Sequence, residues 1–421
     1  MAIMVLTPLM MFAQNNTFSP YSRYGLGDIY RKPLGPYRAM GGTSIGSRIP
    51  NAINFMNPAA YTSQDTLSFI FDFGLRYSNE TYKSSESSSQ LVNSNIDHLA
   101  ISFPVTSWWY SSAGIFPYSN VGYDILEQNS VGGTLINHYY KGNGGLNEFY
   151  IGTAFVPIKN LSMGFNFSYL FGNIEHIRSI SSPDYTFLIT EETSTTHIKD
   201  IFFTGGIQYT LALNKNKYTI GASFDNKAKM NTITDYSLIR YAEGFVVDID
   251  GNDSIDTYAF DTAIIIPDQK GSFNLPSNIG VGFSFNYDDK LIFGFDYSTQ
   301  NWSEFELLGN SQNYQDNHYL SCGINYTPNP KSLENYFKRV DYRLGGHYYY
   351  TNLKLNNTAI MDYGISLGLG IPLKNRKTKV NLTYEYGVKG TTDSYLIQQN
   401  YNVISLSMSL YDRWFIKRKF D

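Results

Sequence analysis

The end of the chain alternates strictly between apolar and polar residues. In the run Ile404-Ser-Leu-Ser-Met-Ser-Leu410, every second residue is apolar and each residue between is serine. A period of two predicts a β-strand with one apolar and one polar face. We find the same pattern in fourteen segments from about Thr66 to about Trp414, and no helical periodicity of any length. This predicts a 14-stranded antiparallel transmembrane β-barrel, apolar toward lipid and polar toward the lumen.

The connections between these segments are of two kinds, which alternate along the chain. The short ones are Pro157–Asn160, Asn214–Asn216, Asp288-Asp289 and Pro372–Lys377. The long ones are predicted as polar loops at 79–94, 127–145, 179–197, 237–272, 301–314 and 389–399. Short periplasmic turns and long extracellular loops are typical of outer-membrane barrels of Gram-negative bacteria. The pattern places both termini in the periplasm.

Composition agrees with a membrane barrel. Aromatic residues make up 16% of the chain and charged residues only 16%, against roughly 25% charged residues in soluble domains. No run reaches the roughly 18 apolar residues of a membrane helix, which does not exclude a barrel. The net charge of −4 and the absence of a basic block argue against nucleic acid as a partner.

The N-terminal part of the chain differs from the rest. Residues 1–13 (MAIMVLTPLMMFA) read as the remnant of a secretory signal peptide, although a native apolar N-terminus is an alternative. Residues 14–62 lack long alternation and are rich in Gly, Pro and Arg. Because the predicted lumen residues are mostly small, a fourteen-stranded barrel has space to fill. We therefore expect residues 14–62 to form a plug, or hatch, inside a barrel made by residues 63–421.

Several motifs resemble those of the FadL/TodX family of outer-membrane channels for hydrophobic compounds. They are Arg38-Ala-Met-Gly-Gly42, Asn57-Pro-Ala59, Leu275-Pro-Ser-Asn-Ile-Gly-Val-Gly282, Phe295-Asp-Tyr297 and Tyr342-Arg-Leu-Gly-Gly346. The resemblance spans nearly the whole chain after residue 13. It implies that the hatch is shaped by Gly41, Gly42, Asn57, Pro58 and Ala59.

The resemblance also implies a lateral opening in the wall at a kinked third strand. The third predicted strand, 109–126, contains Gly114, Phe116, Pro117 and Tyr118. Proline cannot donate a hydrogen bond to a sheet, so Pro117 predicts a local break in the ladder. We expect these four residues to form a lateral gate. A bulge that only shapes the curvature of the wall is the alternative.

Two functions remain open from the sequence. The first is passive, hatch-gated uptake of long-chain fatty acids or other small hydrophobic compounds, with lateral release into outer-membrane lipid. The alternative is a non-transporting barrel that acts as an accessory or scaffold subunit of an outer-membrane secretion or assembly complex. The connection 328–339 is a candidate docking element for protein partners, or simply a short helix. We identify no catalytic residues, do not expect an enzyme, and expect no cofactor.

One loop carries a possible cation site. Asp248, Asp250, Asp253 and Asp256 surround a glycine and an asparagine, and such carboxylates can hold Ca²⁺. The spacing is not that of an EF-hand, because the terminal Glu is missing. A solvated acidic loop tip is the alternative.

Overall fold

The computed structural model describes most of the chain. The described residues are 17–30, 33–183, 188–241, 259–307, 314–373 and 377–413. The predicted signal remnant 1–13 and the four aspartates of the possible calcium loop lie outside them.

The described residues form strands that follow one another around a single sheet. They are β1 (Ser68–Lys83), β2 (Ser88–Pro104), β3 (Trp109–Val131), β4 (Thr134–Ile158), β5 (Leu161–Ser181), β6 (Ile189–Leu213), β7 (Asn216–Asp225 and Ala228–Tyr241), β8 (Ala259–Leu275 and Asn278–Tyr287), β9 (Leu291–Gln300), β10 (Asn317–Tyr326), β11 (Asp341–Leu355), β12 (Thr358–Pro372), β13 (Lys379–Lys389) and β14 (Gln398–Arg413).

The sheet closes on itself. Each strand pairs antiparallel with its neighbours in the chain, and β14 pairs with β1 from Gln398↔Lys83 to Arg413↔Ser68. β7 and β8 are each interrupted once, at 226–227 and 276–277, and their two halves continue the same path around the wall. The predicted 14-stranded antiparallel barrel is therefore confirmed.

The outer surface of the barrel carries an apolar belt. Leu369, Leu382 and Leu406 lie side by side in register on β12, β13 and β14, and all three are exposed. Thr383, which follows Leu382 in β13, and Ser405, which precedes Leu406 in β14, are buried on the lumen side. This is the alternation expected of a wall that faces lipid. Among the described residues, no helix is both long and apolar enough to cross a membrane.

Several strands are much longer than a membrane crossing requires. β3 has 23 residues and β4 has 25, whereas a tilted strand crosses a bilayer with about 9–11. These strands continue as ribbons at one end of the barrel, here called the ribbon end. The opposite end, with turns such as 159–160 and 214–215, is called the short-turn end.

The ribbons correct the predicted long loops. Segments 79–94 and 127–145 lie mostly in strands, joined only by residues 84–87 and 132–133. Segments 179–197 and 237–272 likewise contain strand residues at both of their ends. Beyond the lipid, a strand has no apolar face to present, so the alternation that identifies membrane strands is lost. Residues 301–307 and 390–397 lie in connections, which include the short 3-10 helices Trp302–Glu304 and Asp393–Tyr395.

Residues 17–30 and 33–64, here called the plug, lie inside the barrel. The plug contains the 3-10 helices Pro20–Arg23, Gly35–Met40 and Pro58–Ser63 and a two-residue strand, Asp28–Ile29, called the plug strand. The second helix packs against β10–β14 and the third against β3–β6. Nearly all residues from 33 to 62 are buried. The plug therefore spans the lumen and touches opposite walls.

The face assignment predicts a depth-dependent cost of placing charge on the belt. Leu382→Arg, near the middle of β13, should destabilise the barrel by about 2–4 kcal/mol, because the guanidinium would face hydrocarbon. Leu213→Arg, at the short-turn end of β6, should cost only about 0–1 kcal/mol. Reversible urea unfolding in lipid vesicles measures both. Equal effects of the two substitutions would contradict the position of the belt.

Candidate functional site

The barrel wall has an opening between β2 and β3. The two strands pair only where Leu99–Pro104 faces Tyr110–Ile115. Beyond this stretch, residues 88–98 of β2 pair with β1 alone. Residues 119–131 of β3 pair with β4, and two of them also pair with the plug strand. Within the described part of the chain, this leaves a gap in the ladder on the ribbon side of Leu99 and Ile115.

The local sequence explains where the pairing fails. Pro117 has no N–H to donate, and the register between β3 and β4 shifts between Pro117 and Ser119. Opposite this bulge, Gly144 and Gly145 have φ of +104° and +150°, which L side chains rarely adopt. The interruption lies on the strand where the sequence predicts a break.

The plug strand lies at the start of this opening. Asp28 pairs with Asn120, and Ile29 pairs with Ser119 on β3. The backbone N–H of Tyr30 donates to the carbonyl oxygen of Tyr118 at 2.8 Å, and the Tyr30 hydroxyl donates to Asp97 on β2. One short segment of the plug therefore reaches both strands that border the gap.

A buried network of charges holds the plug to β1 and β2. Arg38 of the plug lies 2.8 Å from Asp97 in an ion pair that is almost completely buried. Both ring nitrogens of His98 face carboxylates, Nδ1 at 2.7 Å from Asp97 and Nε2 at 2.8 Å from Asp72. The guanidinium of Arg38 also lies over the ring of Tyr30 at 5.3 Å. Because a buried charge is costly without its partner, these groups depend on one another.

Asp296 anchors the plug on the opposite side of the lumen. Its carboxylate accepts hydrogen bonds from the backbone N–H groups of Ser44, Ile45 and Gly46, at 2.5, 2.7 and 3.4 Å. Three converging N–H groups satisfy a buried carboxylate that lacks a cationic partner among these contacts. Asp296 is the central residue of the Phe295-Asp-Tyr297 motif, which gives that motif a structural role.

The predicted hatch residues lie within this packed plug. Asn57 accepts a hydrogen bond from the N–H of Ala59 and so caps the third plug helix, in which Pro58 is the first residue. The Asn57 side-chain amide also donates to the carbonyl of Ile45 at 2.8 Å. Gly41 has φ of +68°, and a Cβ there would lie 2.4 Å from the backbone of Gly346. Their role in gating stays a prediction.

The four predicted gate residues lie in different environments. Gly114 is in the regular ladder below the opening, where a Cβ would lie 2.7 Å from the ring of Tyr150. Phe116 is buried in the lumen, and its ring packs on Phe55 of the plug with a centroid distance of 4.6 Å. Tyr118 is buried as well, whereas Pro117 is half-buried at the bulge. A large side chain at position 114 would thus disturb the wall itself. Variants that test a gate are therefore better placed in the plug strand.

Two small cavities flank the plug strand. A largely apolar cavity of ≈ 110 Å³ lies toward Phe202, Leu275 and Pro276. A polar cavity of ≈ 140 Å³ lies toward Arg76 and Glu385. Ile29 and Tyr30 line both, so the plug strand separates them.

The sequence reasoning missed the residues that close the opening. Tyr30, Arg38, Asp72, Asp97 and His98 come together only in the fold. One signal was present: Asp97-His98 interrupts a strand whose other lumen residues are small and uncharged. No group of His, Cys, Asp and Glu residues suited to a metal ion occurs among the described residues.

A protein-family model described as BamG matches residues 1–421. A search of curated proteins found no match.

Solved structures share the fold at low sequence identity. The toluene transporter TodX of Pseudomonas putida has a TM-score of 0.60 and 16% identity, over 92% of this chain and 100% of that one. The monoaromatic hydrocarbon channel CymD has a TM-score of 0.57 and 15% identity, over 92% and 99%. A FadL homologue of Pseudomonas aeruginosa has a TM-score of 0.60 and 11% identity, over 92% and 100%. The resemblance to FadL/TodX barrels is thereby confirmed for the fold.

The buried network predicts strong coupling between plug and wall. Asp97→Asn should destabilise the protein by about 3–5 kcal/mol, because Arg38 loses its carboxylate partner and His98 keeps only Asp72. In a double-mutant cycle with Arg38→Gln, we expect a coupling energy of about 1–3 kcal/mol. Chemical unfolding in detergent micelles measures this, and limited proteolysis within residues 17–64 reports release of the plug.

The exposed pair Lys227–Glu304, with 2.8 Å between its charged atoms, is the matched control. A double-mutant cycle of Lys227→Gln and Glu304→Gln should give a coupling energy of at most about 1 kcal/mol. A coupling at Arg38–Asp97 no larger than in the control would show that this ion pair does not hold the plug.

Proposed function

The chain belongs to the BamG family, and from this premise we propose that it is an outer-membrane barrel with a closed lumen that serves as an accessory subunit of a larger outer-membrane protein complex. Its likeness to hydrocarbon channels extends to the fold, at 11–16% identity, and does not carry their activity with it. We further propose that the short-turn end and both termini face the periplasm, with the ribbons outside.

The observation that carries this proposal is that the plug spans the lumen and also contacts both borders of the wall opening. The plug strand pairs with β3, and Asp28 also lies 2.6 Å from Lys389 on β13 in an ion pair. The cavities beside the plug strand measure ≈ 140 and ≈ 110 Å³, whereas ligand pockets usually occupy about 300–1,000 Å³. Neither cavity beside the plug strand has room for a long fatty acid.

The connection between β10 and β11 offers a surface for a partner. Residues 327–340 form the longest connection at the short-turn end and include the 3-10 helix Tyr336–Arg339. Leu333 is 79% exposed and Phe337 is 71% exposed, next to the basic Lys338 and Arg339. The Tyr336 hydroxyl donates to the carbonyl of Pro372 at 2.8 Å and fixes the helix on the barrel. Exposed aromatic and aliphatic side chains on a fixed element are typical of protein contacts.

The proposal predicts a stoichiometric protein partner. Native mass spectrometry of the barrel, extracted gently from outer membranes, should show it bound to at least one other outer-membrane protein. Leu333→Asp with Phe337→Asp should reduce the bound fraction at least about tenfold, because each side chain contributes apolar contact area. The control is Tyr395→Asp, which changes a side chain that is 95% exposed at the ribbon end. A barrel that is always alone would contradict the accessory role.

A second candidate function is passage of a small hydrophobic compound, and the opening between β2 and β3 favours it. The apolar cavity of ≈ 110 Å³ adjoins this opening through Ile29 and Tyr30. A dry cavity of roughly 150 Å³ binds benzene in another protein, so a monoaromatic compound fits the size better than a fatty acid does. Transport would require the plug strand to leave β3.

A reversible lock tests this second candidate. Ile29→Cys with Ser119→Cys, in a Cys322→Ser background, places two thiols at paired positions of the plug strand and β3. If the opening is a route, liposomes with the reduced protein should take up toluene, and oxidation should stop the uptake. The single Ile29→Cys variant is the control for oxidation itself. Equal uptake by reduced, oxidised and protein-free liposomes would exclude this route.

A further inference from the structure

A third cavity lies at the ribbon end, apart from the plug strand. It has a volume of ≈ 760 Å³, within the range of about 300–1,000 Å³ typical of ligand sites. Its walls come from β3, β5, β6, β7 and β8, from the first plug helix and the residues just after it, and from the connection after β9. We call this cavity the vestibule.

The charges in the vestibule do not balance. Arg23, Arg178 and Lys270 line it together with one carboxylate, that of Glu192. Arg178 and Glu192 form an ion pair at 3.7 Å, close to the outer limit of such contacts. In the described part of the chain, neither Arg23 nor Lys270 has a carboxylate partner. The vestibule therefore has an excess of positive charge that an anion would neutralise.

His176 lies beside the same two guanidinium groups. Its Nδ1 lies 2.7 Å from the Tyr123 hydroxyl, well beyond the lipid-facing part of β5. Burial, and then the charges of Arg178 and Arg23, lower the pKa of His176 to about 4. The imidazole is thus neutral at pH 7 and adds no charge to that of the two guanidinium groups.

Aromatic side chains also line the vestibule. Tyr24, Tyr123, Tyr236 and Tyr314 line the vestibule. Tyrosine combines a flat apolar ring with a hydroxyl, so it can cover the C–H face of a sugar ring and also hydrogen-bond the sugar's hydroxyl groups. Ser194, Thr234 and Gln269 add further polar groups to the lining. An alkyl chain would leave these polar groups without partners.

We propose that the vestibule binds an acidic saccharide, with its sugar rings against the tyrosines and its carboxylate or phosphate groups on Arg23, Arg178 and Lys270. Guanidinium groups match these anions well, because they donate two parallel hydrogen bonds. The anionic groups of a lipopolysaccharide in the same membrane and those of a free polysaccharide share this chemistry. The inference stands whether the barrel is an accessory subunit or a channel.

Calorimetric titration of the full-length barrel in detergent tests the proposal. The probes are tetragalacturonate, the neutral sugar galactotetraose and a purified phosphorylated lipopolysaccharide core oligosaccharide. At least one acidic probe should bind, at least about tenfold more tightly than the neutral sugar, and raising the salt concentration should weaken that binding. Binding of the core alone would identify lipopolysaccharide as the source, and binding of tetragalacturonate alone would identify a free polysaccharide.

Two double variants separate the site from general charge effects. Arg23→Gln with Arg178→Gln should weaken binding of the acidic probe at least about tenfold, because two charge-assisted contacts are lost. Lys215→Gln with Lys290→Gln removes the same charge at the short-turn end and should leave affinity unchanged. The proposal is overturned if neither acidic probe binds, if the neutral sugar binds equally well, or if both double variants behave alike.

Discussion

The structure depends on one constraint, which is that the wall opening at Pro117 must be filled by hydrogen-bonding backbone. Unpaired N–H and C=O groups at an open sheet edge are costly where water is excluded. The plug strand supplies backbone partners at Ser119 and Asn120 of β3, and Tyr30 reaches Asp97 on the other border. The ion pair of Arg38 with Asp97 and the three N–H groups on Asp296 then fix the plug from both sides. Wall and plug are thus stabilised as one unit.

The barrel could be predicted from sequence because lipid imposes a strict rule. In segments such as 363–371, Tyr363, Ile365 and Leu367 alternate with small residues, which predicts a strand with one face toward lipid. The ribbons could not be predicted, because residues such as 127–131 of β3 face no lipid and show no alternation. The predicted break at Pro117 rested on a single backbone property, the missing N–H, and the register shift lies there.

The candidate site was harder to predict, because its residues meet only across the sheet. Tyr30 and Arg38 come from the plug, whereas Asp97 and His98 come from β2. Periodicity places each residue on a face but does not say which plug residue reaches which strand. Gly114 shows the same limit: the sequence predicts it in the lateral gate, yet the ring of Tyr150 and the backbone of Leu99 lie close against it. Shared fold with hydrocarbon channels leaves function to be argued from such contacts.

The central claim is that the plug strand is a fixed part of the wall. Amide hydrogen exchange of the plug strand tests this claim most directly. The measurement is made on the barrel in lipid nanodiscs and follows residues 28–30 against residues 119–120 of β3. If the plug strand is a fixed part of the wall, its amides should exchange as slowly as those of β3. If they exchange at the rate of an unfolded chain while β3 stays protected, the plug strand leaves the wall readily, and the closed lumen is wrong.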